Sequence, residues 1–287
     1  MHAITKTVFF EDQYPGVVLG VIVRPRGLIQ IDAPPSPEDS RAWRAALMSL
    51  AGGPERVLIN LDSHPDRTIG ARAMDCIVVA HAKTAQTFRS RPTTFKAQGD
   101  ETGAEWELIS GLGSIRWAPP EISFSEQLTL YWDGSPVRLE NHPGPAAGAI
   151  WVALPDEKIL FIGDTVVKNQ PPFLANADLP AWIETLNLLL SPAYKSYTII
   201  SGRGGVINSQ AIRNQLDFLK HVRDRLEKLA NRQAAPEATD HLAVSLANGF
   251  KASTARQQHY IQRLRYGLLH YYTRHNRSLH DTSEEQS

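Results

Sequence analysis

Asn60-Leu61-Asp62-Ser63-His64-Pro65-Asp66-Arg67-Thr68-Ile69 is the stretch on which the fold turns. The apolar run Val57-Leu58-Ile59 before it reads as a buried strand. The stretch is then the loop at that strand's carboxyl end. Asp62, His64 and Asp66 fall at alternate positions in it. Two carboxylates and an imidazole converging from one short loop are the donor types of a metal pocket. Arg67 is discordant, because it sets a permanent cation where such a pocket wants a ligand.

Upstream, residues 17–23 and 28–31 read as strands around the turn Pro25-Arg26-Gly27. Ser36 can cap a helix with Pro37 at its first position, and Trp43, Ala46, Leu47 and Leu50 recur at helical spacing. Downstream, the pattern predicts a helix from near Thr68, a strand over 77–80 ending at His81, and a helix over 82–90. Residues 91–118 are poorly patterned. From about 120 the pattern is β, over 122–124, 127–131, 137–139, 149–153 and 159–162. Asp178 can cap a helix over 179–190, and a strand follows at 197–200.

Two long C-terminal helices are expected after that. The first carries the stripe Ile212, Leu216, Leu219, Val222, Leu226 and Leu229. The second starts near Ser253, with Ile261, Leu264, Leu268 and Tyr271 on its packing face. Its basic, aromatic segment from Gln257 to Tyr266 reads as a packed helix rather than a nucleic-acid surface. Residues 281–287 read as a polar tail. Two β-rich halves, each flanked by helices, predict an α/β chain folded as an αββα sandwich.

Lys+Arg and Asp+Glu both number 30, so the formal net charge is zero and no field for nucleic acid or a membrane surface is expected. Cys76 is the only cysteine, which excludes an intrachain disulfide. The apolar run 17–23 is too short to span a bilayer. A cytoplasmic protein without a membrane or nucleic-acid partner is the expectation.

Four loops together resemble the metallo-β-lactamase superfamily. Asp62-Ser63-His64-Pro65-Asp66-Arg67 is similar to its His-x-His-x-Asp-His loop. Pro143-Gly144-Pro145-Ala146-Ala147-Gly148 resembles its Pro-Gly-His-Thr-x-Gly loop. Leu160-Phe161-Ile162-Gly163-Asp164 resembles the phrase that carries its bridging Asp. Ser201-Gly202-Arg203-Gly204-Gly205 resembles its late Gly-His-Gly loop. The resemblance covers roughly residues 15–206 and implies an αββα domain of metallo-β-lactamase type over 1–206. Residues 207–287 would then be a helical extension packed on that domain or on a subunit partner, as in a homodimer.

The resemblance also implies where ligands would stand. Asp62, His64 and Asp164 would form a first metal site, able to hold one zinc, manganese or iron ion. Asp66 would be the catalytic group that orients or deprotonates the attacking water. The second site would hold Asp66 and Asp164 with Arg67 and Arg203. A divalent ion about 4 Å from one guanidinium is repelled by about 8 kcal/mol at an effective dielectric of 20. The two arginines are therefore expected to replace that metal and to pair with Asp66 and Asp164.

Two functions follow. One is a hydrolase-like protein with an incomplete centre, holding no metal or one ion, with weak or absent hydrolysis of an ester, thioester, lactone or phosphoester. The other is a non-catalytic module that binds an anion, or assembles, through the Arg67/Arg203 pocket. The partner would be a small-molecule substrate or an anion. His142 could compensate for the ligand missing at Pro145, and Phe173 reads as a buried aromatic near the site mouth.

Overall fold

Antiparallel strands open the chain: β1 (His2–Ala3), β2 (Val8–Glu11), β3 (Leu19–Arg24) and β4 (Gly27–Ile31). The computed structural model describes residues 1–97 and 102–276. Helix α1 (Pro37–Leu47) follows, capped by Ser36, whose side chain accepts from the Asp39 amide. Next come β5 (Glu55–Ile59), the single-turn helix α2 (Pro65–Thr68) and a 3-10 segment over Ile69–Met74. Then β6 (Ile77–His81), α3 (Ala82–Ser90), a small hairpin of β7 (Thr94–Lys96) and β8 (Ser114–Arg116), and β9 (Ile122–Phe124). The first sheet has the order β1-β2-β3-β4-β5-β6-β9, parallel from β4 onward.

The second sheet holds β10 (Gln127–Leu130), β11 (Val137–Asn141), β12 (Ile150–Leu154), β13 (Ile159–Phe161), β14 (Thr198–Ser201) and β15 (Gly205–Ile207). Helix α4 (Leu179–Leu189) joins β13 to β14, which pair in parallel. Helices α5 (Ser209–Asn231), α6 (Thr239–Ala247) and α7 (Thr254–Asn276) end the described chain.

The period-two alternation of the strands builds three apolar layers. Ile22, Ile29 and Ile59 meet Ile150, Val152 and Phe161 between the sheets. Val21, Leu28 and Leu58 face Trp43 and Leu47 of α1 on one outer side. Trp151, Ala153 and Leu160 face α4–α7 on the other, against Trp182, Leu216, Leu219, Leu264 and Leu268. The result is an αββα sandwich, as the sequence predicts.

Several details differ. The helix expected from Thr68 starts at Pro65, because the His64 side chain caps it. Three C-terminal helices replace the expected two. Residues 239–247 carry Leu242, Ala243, Leu246 and Ala247 into the shared core, a stripe too short to stand out in sequence. All three share one apolar cluster with the second sheet, whose edge strand β15 ends at Ile207. The region 91–118 contains the β7–β8 hairpin and a 3-10 turn over Glu105–Leu108. The polar tail at 281–287 lies outside the described residues.

Candidate functional site

The loops after β4, β5, β13 and β14 end at one edge of the sandwich, where they bring Asp32, Asp62–Arg67, Asp164 and Arg203 together. Ion pairs of charged side chains with no access to water demand close compensation. The site provides it with guanidinium groups. Arg67 is wholly buried and donates to Asp32 at 2.8 Å and to Asp164. Its Nε lies 3.0 Å from Asp62 Oδ1, in ion-pair range but without hydrogen-bond alignment.

Arg203 comes from the other side. Its Nε donates to both Asp164 oxygens at 3.0 and 3.1 Å. Its Nη2 reaches Asp66 at 2.9 Å and His64 Nδ1 at 3.1 Å, and its Nη1 reaches Glu105 at 2.5 Å. Glu105 also accepts from Arg263 of α7 at 2.5 Å. Phe173 lies under both cations, 4.5 Å from the Arg203 guanidinium and 4.1 Å from that of Arg263. Such stacking suits the flat, weakly hydrated guanidinium.

Backbone shape makes room for this packing. A Cβ at Gly202 would come within 3.0 Å of Arg67 Nη1 and 2.9 Å of the Gly163 backbone. At Gly16, where φ is +74°, a Cβ would stand 2.9 Å from the Asp66 carboxyl carbon.

Counted together, the network sets five carboxylates (Asp32, Asp62, Asp66, Glu105, Asp164) against three guanidiniums. The excess negative charge shows in the acidities. Burial pushes Asp32 up to about 7 despite Arg67, and Asp66 up to about 7 despite Arg203. Burial also raises Asp62. At Glu105 burial is outweighed by Arg203 and Arg263, which bring it down to about 2. At Asp164 burial is likewise outweighed by Arg203 and Arg67, which hold it well below the usual carboxylate range. Protons on Asp32 and Asp66 would bring the network to balance.

Each residue singled out in the sequence has a defined position. His64 Nδ1 accepts from the Asp66 amide and from Arg203, so the neutral ring carries its proton on Nε2. Burial and the nearby Arg203 hold its pKa well below the ordinary value. Asp62 accepts from the His64 amide at 2.7 Å. Asp66 is fully buried, with one oxygen on the Trp106 amide and the other on Arg203. His142 is directed elsewhere, stacked on Trp151 at 3.7 Å. His81 caps α3 and bonds to the Ser125 carbonyl.

A metal ion at the first site would need free lone pairs on Asp62, His64 and Asp164. Both Asp164 oxygens and His64 Nδ1 are already engaged by arginine N–H groups. Among the described residues the one grouping with metal-ligand spacing is His2, Glu11 and Asp12 at the chain start, which includes none of the residues of these loops.

Sequence reasoning paired the arginines with Asp66 and Asp164, and missed Asp32, Glu105 and Arg263. Asp32 had a visible signal, since it ends a strand beside the motif strand. Glu105 lies in the unpatterned region and Arg263 within an ordinary helical stripe, so neither offered one.

Solved structures carry the same architecture. A metallo-β-lactamase from Pontibacter korlensis superposes with a TM-score of 0.57 over 76% of this chain and 97% of its own, at 19% identity. The chain has the metallo-β-lactamase fold. The DIM-1 metallo-β-lactamase superposes with a TM-score of 0.60 at 15% identity, over 77% of this chain and 95% of its own. The sec-alkylsulfatase Pisa1 from Pseudomonas sp. follows 95% of this chain at a TM-score of 0.62 and 15% identity. Its match therefore extends into the C-terminal helices, while this chain spans 49% of its length. Neither a protein-family model nor a curated protein sequence matches the chain.

Beside the network the metallo-β-lactamase fold leaves a cavity of about 590 Å³. Asp62, His64, Asp164 and Phe173 line its floor, with α3 on one side and α7 on the other. Among the described residues, no helix is long and apolar enough to cross a membrane.

Proposed function

We propose that this metallo-β-lactamase-fold chain works without a metal centre. The guanidiniums of Arg67 and Arg203 supply the positive charge that the converging carboxylates require. The observation that carries this reading is Asp164, whose carboxylate is shared between Arg67 and Arg203. With three arginine N–H bonds on its two oxygens that carboxylate is largely committed, and an ion beside two guanidiniums would meet strong repulsion. Without a metal, water at this site lacks the activation that such hydrolysis uses. Asp66 is fully buried and is not among the residues that line the cavity, which favours a structural role.

On this reading the network is structural and the protein is a hydrolase-like scaffold that binds a small molecule in the adjoining cavity. The arginines themselves are poor anion receptors. Their donors face five carboxylates, which would repel a further negative group.

The test is a zinc titration by calorimetry, run beside assays with nitrophenyl acetate and nitrophenyl phosphate. The expected result is no zinc uptake and no zinc-dependent turnover. Stoichiometric uptake that disappears in His64→Ala would overturn the reading.

A further inference from the structure

Two arginines that line the cavity lie outside the network, Arg91 and Arg274. Arg91 ends α3, and its Nη2 donates to the Ser63 carbonyl at 2.9 Å. Its guanidinium stacks against Trp117 at 5.0 Å and Phe88 at 5.3 Å. Its Nη1 is buried and has no hydrogen-bond partner among the described residues. Every other arginine at this edge is tied to acceptors. Arg67 and Arg203 hold carboxylates, Arg263 holds Glu105, and Arg274 donates to the Ala175 and Ala177 carbonyls. A buried, unsatisfied cationic donor is costly, and a small shift of the Arg91 side chain would bring it to an acceptor in the cavity.

The lining agrees with this. Four cations, Lys83, Arg91, Arg263 and Arg274, face the cavity against two carboxylates, Asp62 and Asp164. Those two acids are already partnered by Arg67 and Arg203. Pro145, Ala146, Phe173 and Leu174 give the wall an apolar stretch, beside polar residues such as Gln86, Thr87 and Asn176. About 590 Å³ lies within the size range of small-molecule sites.

We propose that this cavity binds an amphiphilic organic carboxylate. Its head would sit on Arg91, with Lys83 from the same helix beside it, and its apolar body would lie along Phe173 and Leu174. The site is separate from the Arg67/Arg203 pair. The inference rests on the metal-free reading only in taking Asp62 and Asp164 as neutralised by arginine.

The experiment is calorimetric titration of the full chain with octanoate, and with octanol as the uncharged analogue. The expected result is one octanoate per chain, bound at least tenfold more tightly than octanol. Arg91→Met should weaken octanoate at least tenfold while leaving octanol unchanged. Arg91→Lys should recover part of the loss. If Arg91→Met fails to fold, Lys83→Gln serves in its place, with an expected weakening of about threefold, as for one exposed charge contact.

Equal affinity for octanol and octanoate, or no octanoate binding, would overturn the proposal. So would Arg91→Met and Lys83→Gln both retaining full octanoate affinity. Zinc is titrated in parallel. Zinc uptake together with Arg91-dependent octanoate binding removes the metal-free reading and leaves this site standing. No zinc uptake together with indifference to the carboxylate does the reverse.

Discussion

Glu105 accepts from Arg203 with Oε2 and from Arg263 with Oε1, at 2.5 Å in each case. One carboxylate thus ties the loop after β14 to the C-terminal helix α7. Glu105→Gln would leave both arginines short of negative charge while keeping the side-chain volume. The expected cost is about 3 kcal/mol, typical of breaking a buried pair from one side. Amide exchange in α7 should quicken more than in α1, none of whose side chains forms an ion pair with the network. Hydrogen exchange followed by mass spectrometry reads both.

Arg67→Met removes the one side chain that touches Asp32, Asp62 and Asp164. Three buried acids would lose their shared cation, so a loss of about 3–5 kcal/mol is expected at neutral pH. Acid should relieve part of it, because protonated carboxyls no longer need the partner. Arg223→Met, on the exposed face of α5, should stay within about 0.5 kcal/mol of wild type. Urea denaturation at two pH values distinguishes them.

Stability should depend on pH with an unusual sign. Asp32 and Asp66 ionise near 7 in the folded chain, against 3.8 for an Asp freely exposed to water. Between those limits the folded state binds more protons than the unfolded state, so stability falls as pH rises from about 4 to 7. Glu105 and Asp164 act in the opposite sense. Their folded values lie below 4.5 and 3.8, so their contribution is present above those values and is lost in stronger acid. A maximum near pH 4–5 is the expected outcome, with a fall of about 1.4 kcal/mol per pH unit for each proton released. Denaturation midpoints across pH 3–8 check it, and Asp66→Asn should flatten the fall between pH 5 and 7.

Gly202→Ala tests how tightly the guanidinium is packed. The added methyl would meet Gly163 at 2.9 Å and Arg67 Nη1 at 3.0 Å. Overpacking of this kind costs about 1–3 kcal/mol. Arg67→Met in the same chain opens space there, so the two costs should fall short of additive in a double-mutant cycle.

The fold was legible because the strands are short, apolar and separated by clear turns, and because four motif loops fell in one order. The α6 helix escaped notice because nine residues carry only two apolar turns. In the site, Arg67, Asp164 and Arg203 could be expected to meet, since each lies in a motif loop. Their partners were harder to see. Glu105 reaches the arginines across 98 residues of sequence, and Arg263 reaches Glu105 across 158. No local pattern encodes a contact at that separation. The role of His64 as a helix cap was equally hidden, because a His before Pro reads alike as a ligand or a cap.

The metal-free centre is tested most directly by anomalous diffraction at the zinc edge from crystals soaked in zinc. The expected result is guanidinium density of Arg203 between His64 and Asp164 and no anomalous peak there. A zinc peak bonded to His64 and Asp164, with Arg203 turned out of the pocket, would contradict it.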